Sequence, residues 1–296
     1  MVERTRGILH ASGRDPVKMI HGLATADIEA VTPDQGAYAL FLTAKGRVVA
    51  DARVLADGED ALWIETDPGA MEPLEAHLKQ FVPPLFARFQ DVSDRWAVVG
   101  VYGPGASDVV AQAVAGAGGS EAAGGDAGSL SPDAPDERVA PYDGGFAIRT
   151  RLTGDDGWDL FVAAGSRDAL VDRLLEAGGR AGDPDALDAL RVMAGRPRYG
   201  RELTEDVIPL EAGLLERAID QEKGCYTGQE VIVRILHRGH VNRHLRRLEF
   251  AGPAPAPGTE LYEPGGEKAR GVVTSAVEND AGALGLGYVR REIEPP

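Results

Sequence analysis

The residues with the clearest chemical potential lie in one short segment, residues 223–230, with the sequence KGCYTGQE. It contains the only cysteine in the 296-residue chain, two positions after a lysine. A thiol becomes nucleophilic when nearby cations stabilise its thiolate, so Lys223 favours a reactive Cys225. The competing interpretation is structural, because an unpaired cysteine is often buried as a small hydrophobic residue. The residue types alone leave both interpretations open.

This segment begins a basic stretch in an acidic protein. Residues 223–247 contain six basic residues and one acid, a net charge of +5, while the whole chain carries −16 and the remainder therefore −21. The basic residues are Lys223, Arg234, Arg238, Arg243, Arg246 and Arg247. A local positive charge of this kind indicates either an anionic ligand at one place or a solvated face that pairs with acidic neighbours.

Three histidines of the basic stretch are candidate metal ligands. His237, His240 and His244 have the spacing H-x2-H-x3-H, which on a helix would turn imidazoles to one face. Gly239 and the strand-like residues before it argue against a helix, and the neighbouring arginines would repel a cation. We therefore expect no metal site. A single cysteine is also too few for a stable iron–sulfur cluster, which several thiolates usually hold.

Several carboxylates are candidates for acid–base or ligand-orienting roles. They are Asp51, Asp155, Asp156, Asp159, Glu205, Asp206 and Glu211. In an acidic protein most carboxylates are solvated, so residue type alone selects none of them. The sequence contains no GxxxxGK[ST] phosphate loop, no GxGxxG opening a helix and no GxSxG nucleophile turn, which argues against kinases, nucleotide hydrolases and serine hydrolases.

The elements that must position these residues follow one another irregularly. Asp15-Pro16 predicts the start of an amphipathic helix over 16–30. Further helices are predicted over 70–81, after 103–105, over 167–177 and from 183 onward. Strands are predicted over 36–43, 47–55, 61–66, 97–102, 145–152 and 158–163. Because helices and strands mix without regular βαβ spacing, the pattern favours an α+β fold over a doubly wound sheet.

Two stretches differ from the rest of the chain. Residues 116–139 are mostly small or polar and bury too little apolar surface to offset the entropy of ordering, so we predict a disordered surface insertion without a function of its own. Near the C-terminus, short strands over 259–262, 270–277 and 283–289 predict a small β-barrel or sandwich.

Composition places the chain among ordinary globular proteins. It is 43% hydrophobic and 26% charged, values typical of soluble domains. No apolar run reaches the roughly 18 residues that a membrane span needs, and the first residues lack the apolar core of a signal peptide. The single cysteine is consistent with a reducing compartment. We expect a cytoplasmic protein without a membrane partner.

Residues 223–230 resemble the K-G-C-Y-x-G-Q-E signature of the folate-binding YgfZ family, a relative of the glycine-cleavage T-protein (aminomethyltransferase) superfamily. Residues 23–28 (LATADI) resemble that superfamily's L-x-T-N-D-V element. Residues 153–159 (TGDDGWD) resemble its T-G-E-D-G-[FY]-E stretch. The resemblance covers nearly the whole chain except 116–139.

The resemblance implies a folate-binding α+β body built of two similar halves around a central cavity. The body would span residues 1–240, with halves of about 1–95 and 96–240, and a small β-barrel would span 241–296. The implied cofactor is tetrahydrofolate or a one-carbon derivative. Its pterin ring would enter the cavity and its anionic glutamate tail would meet basic residues.

Site residues follow from the same resemblance. Asp159 takes the position of the superfamily's pterin-binding acid, one methylene shorter than the usual glutamate. The other implied folate-binding residues are Tyr226, Gln229, Arg234 and Glu211. Cys225 and Lys223 would lie at the mouth of the cavity, where the thiol would engage a partner's cluster, sulfur or a folate adduct.

Two departures favour the YgfZ branch over a glycine-cleavage enzyme. Aminomethyltransferases carry paired aspartates where this chain has Ala50-Asp51, and they lack the cysteine of residues 223–230. We therefore expect a factor that supports assembly or repair of iron–sulfur enzymes, including ones that modify transfer RNA, with iron–sulfur proteins as transient partners.

Two other functions remain as alternatives. The first is a folate-dependent aminomethyl or one-carbon transferase, with Asp51 as its acid or base. The second is an RNA-binding module that uses residues 234–247. That stretch lacks interleaved aromatic residues on which bases could stack, and the rest of the chain repels nucleic acid. We therefore expect no direct nucleic-acid partner.

Overall fold

The structure, a computed structural model, describes residues 1–115, 130–279 and 282–293. Its strands are β1 (Val2–Arg4), β2 (Gly7–Ser12), β3 (Ala37–Leu42), β4 (Val48–Ala56), β5 (Ala61–Thr66), β6 (Arg88–Asp91), β7 (Trp96–Tyr102), β8 (Val139–Tyr142), β9 (Gly145–Arg149), β10 (Gly157–Ala163), β11 (Arg243–Phe250), β12 (Glu260–Tyr262), β13 (Ala269–Asn279) and β14 (Gly282–Arg290). Its helices are α1 (Pro16–His21), α2 (Met71–Phe81), α3 (Ala106–Ala115), α4 (Arg167–Glu176), α5 (Pro184–Met193), α6 (Leu215–Ala218) and α7 (Gln229–Arg238).

The first sheet has five antiparallel strands in the order β3-β4-β5-β2-β6. Apolar side chains crowd one of its faces, where Phe41 and Ile64 are fully buried. Helices α1 and α2 cover this face with Ile20 and Leu74. The alternation of buried and exposed residues along α2 supplies the apolar stripe that this packing requires.

The second sheet has the order β1-β7-β10-β9-β8 and is also antiparallel. Helices α3 and α4 pack on it around Trp158, which is fully buried. The indole N–H of Trp158 donates to Oγ of Ser107 over 2.9 Å, so its single polar group is satisfied. Strand β1 comes from the first residues of the chain yet completes this second sheet beside β7.

The two five-stranded sheets share one apolar layer. Ile8 and Leu55 of the first sheet pack against Val98, Ile148 and Phe161 of the second. All five side chains are almost completely buried. The layer holds the two sheets together and fixes the strand positions from which the polar residues described below project.

The C-terminal strands form an open sheet in the order β11-β14-β13-β12. Within the described residues β11 and β12 form its two edges and do not pair with each other, so the predicted closed barrel is not confirmed. The sheet packs on the body through Tyr288, whose hydroxyl donates to the Glu202 carbonyl over 2.8 Å. The mixture of helices and antiparallel sheets agrees with the predicted α+β fold.

Two local predictions were wrong. The helix expected over 16–30 ends at His21, and the apolar residues that extended its pattern, such as Leu23 and Ile28, are buried in a loop. Residues 231–233, read as strand-like, lie in α7. Their β-branched side chains favour strands only weakly, and the tertiary context of a helix with Ile232 buried overrides that preference.

The predicted insertion over 116–139 falls partly outside the described residues, which omit 116–129. In its remaining part Ala134, Glu137 and Val139 are buried, and Val139 begins β8. Residues 130–139 therefore pack on the body and are not a disordered insertion. None of the described helices has both the length and the apolar character needed to cross a membrane.

Gly228 should be the least replaceable glycine of the motif at residues 223–230. Its φ of 85° favours glycine, and a Cβ would lie 2.6 Å from the Thr43 carbonyl oxygen. Gly213 has a φ of 70° with nothing within 4 Å, so Gly213→Ala isolates the conformational cost of about 1–2 kcal/mol. We expect Gly228→Ala to lower the free energy of unfolding in urea by at least about 2 kcal/mol more than Gly213→Ala does, because about 2 kcal/mol is a typical cost of overpacking. Equal losses in the two variants would contradict this close packing.

Candidate functional site

A cavity of about 230 Å³ opens where the two five-stranded sheets meet α5. Strands β1, β4 and β10 contribute to its wall, and a loop at residues 197–199 closes one side. Two of the carboxylates considered from the sequence, Asp51 and Asp159, both line it. The structure thus brings together two acids that lie more than a hundred positions apart in the chain.

Asp159 is completely buried and fully engaged by neighbouring side chains. Its Oδ2 lies 2.7 Å from Nη1 of Arg4 and 2.8 Å from Nη2 of Arg53. The hydroxyl of Tyr102 donates to Oδ1. Burial alone would raise the pKa of Asp159, but the two guanidiniums hold it well below its usual range. Asp159 is therefore an ionised anchor with both oxygens occupied.

Glu65 extends the same network across the first sheet. It accepts from Nε of Arg53 over 2.7 Å and from Nε of Arg6. Burial opposes its ionisation, but these two arginines lower its pKa to about 2. We call Arg4, Arg6, Arg53, Glu65, Tyr102 and Asp159 the buried ion network. It links β4 and β5 of one sheet to β1, β7 and β10 of the other.

Asp51 is not part of the buried ion network. Its Oδ2 accepts from the Tyr38 hydroxyl over 2.9 Å, and its Oδ1 is buried without a hydrogen-bond partner. Burial raises the pKa of Asp51, against the opposing effects of Arg6 and of the Tyr38 hydrogen bond. A buried carboxylate oxygen without a partner is unusual, because desolvation then goes uncompensated. Asp51 is therefore a buried acceptor in this cavity with capacity left for a ligand.

Basic and aromatic side chains surround the two acids. The Arg217 guanidinium lies 4.2 Å from the centre of the Tyr38 ring, and Arg198 is half exposed beside Tyr199 at the cavity wall. None of the cavity arginines belongs to the basic stretch at residues 223–247. The sequence offered one signal, since residues two apart on a strand share a face and Asp51 and Arg53 are so spaced on β4.

Lys223 has a structural role in the folded protein. Its Nζ donates to the carbonyl oxygens of His21, Ala24 and Ala26 over 2.6, 2.7 and 2.8 Å. All three ammonium protons are thus used to hold the loop that follows α1. Burial lowers the pKa of Lys223 to about 8.

The rest of the motif lies away from the central cavity. Cys225 is exposed, and neither it nor Lys223 lines the cavity, so the expected position at its mouth is not observed. Tyr226 is buried in the apolar cluster beside Leu42. Gln229 and Arg234 lie on α7 and do not line the cavity either. The difference arises because Lys223 directs the segment toward the loop after α1.

Glu211 is buried in a different place. Its Oε2 accepts from the Ile208 amide over 3.1 Å and from Nη2 of Arg243 over 3.2 Å. It lines a second cavity, of about 420 Å³, between the body and the C-terminal sheet. Of the residues assigned to folate from the sequence, only Asp159 therefore reaches the central cavity, where it joins Asp51.

The structure also locates the groups considered for metal binding. His237 lies on α7, His240 follows that helix and His244 lies on β11, so the three histidines do not share a helix face. A different group, His21, Asp27 and Glu29, has ligand atoms within 4.8 Å of one another. The Lys223 ammonium lies close enough to this group for Asp27 and Glu29 to oppose the lowering of the Lys223 pKa by burial. A positive charge is therefore already present beside these carboxylates.

Glu65 should contribute to stability in a pH-dependent way. Its pKa is lowered from 4.5 to about 2, so its contribution is present above about pH 4.5 and is lost as the pH falls toward 2. The shift corresponds to roughly 3 kcal/mol. Glu65→Gln should cost about 3–5 kcal/mol at pH 7, because it leaves buried arginines uncompensated. Urea unfolding at several pH values should show that the free energy of unfolding falls less in the variant than in the wild type as the pH drops from about 4.5 toward 2.

Glu75→Gln is the matched control. Glu75 pairs with Lys79 on the exposed face of α2, so its replacement should change stability by less than about 1 kcal/mol. If Glu65→Gln lost as much unfolding free energy at low pH as the wild type does, the assigned electrostatic role of Glu65 would be contradicted.

Comparison with known proteins places this geometry in a family. The family model described as the GCVT N-terminal domain matches residues 5–223. An aminomethyltransferase from Rubrobacter xylanophilus is 31% identical over 287 residues, which cover 95% of this chain and 73% of that protein. A mitochondrial aminomethyltransferase from Pisum sativum is 29% identical over 299 residues, which cover 95% of this chain and 69% of that protein.

A solved structure supports the fold independently. The glycine cleavage system aminomethyltransferase T from Bartonella henselae superposes with a TM-score of 0.80 over 98% of this chain and 77% of that one, at 20% identity. The family model covers the strands of the two five-stranded sheets except β1. The chain therefore belongs to the family defined by the GCVT N-terminal domain.

Proposed function

We propose that the chain is a tetrahydrofolate-binding factor of the YgfZ type that supports assembly or repair of iron–sulfur enzymes, including ones that modify transfer RNA. The observation that carries the folate part is the unpartnered oxygen of Asp51 in the central cavity. The iron–sulfur part rests on the resemblance of residues 223–230 to the YgfZ signature and on the exposed thiol within them.

The residues of the central cavity fit a reduced folate. A pterin ring presents N–H and amino donors along one edge, and Asp51 Oδ1 is a buried acceptor that needs such a donor. Asp159 is less suited than its position in the sequence implies, because Arg4, Arg53 and Tyr102 occupy both of its oxygens. We therefore assign the pterin contact to Asp51 and the stabilisation of the cavity wall to Asp159.

The central cavity is too small to enclose a whole folate molecule. Ligand pockets usually measure about 300–1,000 Å³, and this cavity of about 230 Å³ is smaller. It would take the ring and leave the anionic glutamate tail near the rim. Arg198 is half exposed there, at 49%, and its acidic contacts among the described residues are at 3.4 and 3.6 Å. Such an arginine can turn to a carboxylate of the tail.

Cys225 has a separate role in this proposal. The backbone on both sides of it is fixed, by Lys223 on the loop after α1 and by the buried ring of Tyr226. The thiol is thus presented to solvent on a rigid segment that does not line the central cavity. Such a thiol is positioned to engage the cluster or sulfur of a docked partner rather than a folate in the cavity.

A folate-dependent aminomethyl or one-carbon transferase is the second candidate. Its support is Asp51, whose raised pKa and place in the cavity suit proton transfer. The similarity to aminomethyltransferases from Rubrobacter xylanophilus and Pisum sativum favours the same function. Under this function Asp51→Ala abolishes turnover of an aminomethyl donor with tetrahydrofolate, and Cys225→Ala leaves that turnover unchanged.

Asp51→Asn should weaken tetrahydrofolate binding by roughly 10- to 100-fold, the usual cost of losing a hydrogen bond to a charged group. Isothermal titration calorimetry measures the effect directly. Asp60→Asn removes an exposed carboxylate outside the cavity and should bind within about two-fold of the wild type. Absence of binding by the wild type up to about 1 mM, or about −4 kcal/mol, would remove the folate proposal.

Cys225→Ala should retain folate binding and lose the ability to restore iron–sulfur enzyme activity in a strain that lacks such a factor. Folate binding should be retained because the exposed thiol contributes neither to the core nor to the central cavity. The measurements are the activity of a cluster-dependent enzyme and the calorimetric affinity for tetrahydrofolate. Full restoration of enzyme activity by the variant would exclude the thiol from the mechanism.

A further inference from the structure

The second cavity, between the body and the C-terminal sheet, shares no lining residue with the central one. Its volume of about 420 Å³ falls within the usual range of about 300–1,000 Å³ for ligand pockets. Its wall combines the turn before β4, the segment around residue 206, and strands β11, β13 and β14. Four of its residues are arginines, Arg47, Arg243, Arg270 and Arg290, in a protein of net charge −16.

Two of these arginines converge on one atom. Nη1 of Arg47 and Nη2 of Arg243 both donate to the backbone carbonyl oxygen of Asp206, the second over 2.7 Å. Two cations held side by side by a neutral acceptor repel each other, and the repulsion is relieved when an anion binds. The Tyr288 ring lies 4.6 Å from the Arg243 guanidinium carbon and holds that group in place.

The charges of the second cavity are only partly compensated. Arg243 lies 3.2 Å from Glu211, and Arg270 lies 2.7 Å from Glu263. In the parts of the chain that the structure describes, no carboxylate comes within 4.0 Å of Arg47 or Arg290. The side chain of Asp206 is the remaining acid of the lining and is exposed. Arg47 and Arg290 therefore keep N–H donors that no carboxylate within 4.0 Å occupies in the described residues, although Nη1 of Arg47 is used by the Asp206 carbonyl. The exposed Glu292 is the further acid near this cavity, since its pKa is lowered by its own backbone amide and by Arg291, Arg290 and Arg270.

We propose that the second cavity binds a small organic molecule that carries a phosphate group. A phosphate bears about −1.5 to −2 charge at neutral pH and matches the two guanidiniums of Arg47 and Arg290 better than a single carboxylate does. Planar guanidinium forks also fit phosphate oxygens in pairs. The volume exceeds what the phosphate needs, and Val272 and Tyr288 on the wall offer apolar surface to the organic part.

Phenyl phosphate is a suitable probe, titrated calorimetrically into the full chain at constant ionic strength. We expect saturable binding that Arg290→Gln weakens about 10-fold or more, since each charge-assisted hydrogen bond contributes on that scale. Arg47→Gln should weaken it similarly. Arg246→Gln is the matched control, because Arg246 is an exposed arginine of β11 that does not line the cavity, and its affinity should stay within about two-fold.

Three outcomes would overturn the proposal of a phosphate site. They are absence of saturable binding up to about 10 mM, equal weakening by Arg246→Gln and Arg290→Gln, and equal affinity for benzoate and phenyl phosphate. Either of the first two outcomes would mean that the anion meets only the general surface charge of the protein. The third would mean that the cavity is a site for carboxylates and does not select phosphate.

Tetrahydrofolate separates the two cavities experimentally. Arg290→Gln should leave tetrahydrofolate affinity unchanged, and Asp51→Asn should leave phenyl phosphate affinity unchanged, because the cavities share no residue. Competition between tetrahydrofolate and phenyl phosphate would contradict a separate site. Failure of folate binding alone would leave the phosphate result intact.

Discussion

The buried ion network is the interaction on which the rest of the structure depends. Asp159 and Glu65 are fully buried, and each is held by two arginines. Buried charges are costly to desolvate and stable only when their partners are in place. The network therefore requires the two sheets to meet in one register, since Arg4 comes from β1 and Arg53 from β4.

That constraint determines what the central cavity offers a ligand. The strongest charges in its wall are already paired, so a ligand meets them as a fixed polar surface. Asp51 is the exception, with one oxygen bound by Tyr38 and the other buried without a partner. A preorganised acceptor next to satisfied neighbours favours a ligand with a donor edge, because binding requires no network bond to be broken.

Much of the fold follows from local sequence patterns. Strand-like residues on both sides of the turn at 44–46, and again at 61–66, predicted β3, β4 and β5 to within one residue, and Asp183-Pro184 marked the start of α5 correctly. The true end of α1 was missed because loop residues after it are buried with helical spacing. Helix α7 was missed because a run of β-branched residues resembles a strand until Gly228 and the packing of Ile232 are known.

The site was less accessible to sequence reasoning. Arg4 and Asp159 are 155 positions apart, and no local pattern signals that they will pair. The motif at residues 223–230 gave no sign that its residues do not line the central cavity. Three of its residues maintain structure: Lys223 binds three carbonyls, Tyr226 is in the core and Gly228 permits a close approach. Cys225, in contrast, is exposed.

The central claim is that a folate ring binds at Asp51 while the buried ion network stays intact. A crystal structure of the complex with tetrahydrofolate tests it most directly. The account predicts pterin nitrogen atoms at about 2.7–3.2 Å from the Asp51 carboxylate, with Asp159 still paired to Arg4 and Arg53. A pterin bound by Asp159 with those ion pairs broken, or a ligand seated beside Cys225, would contradict it.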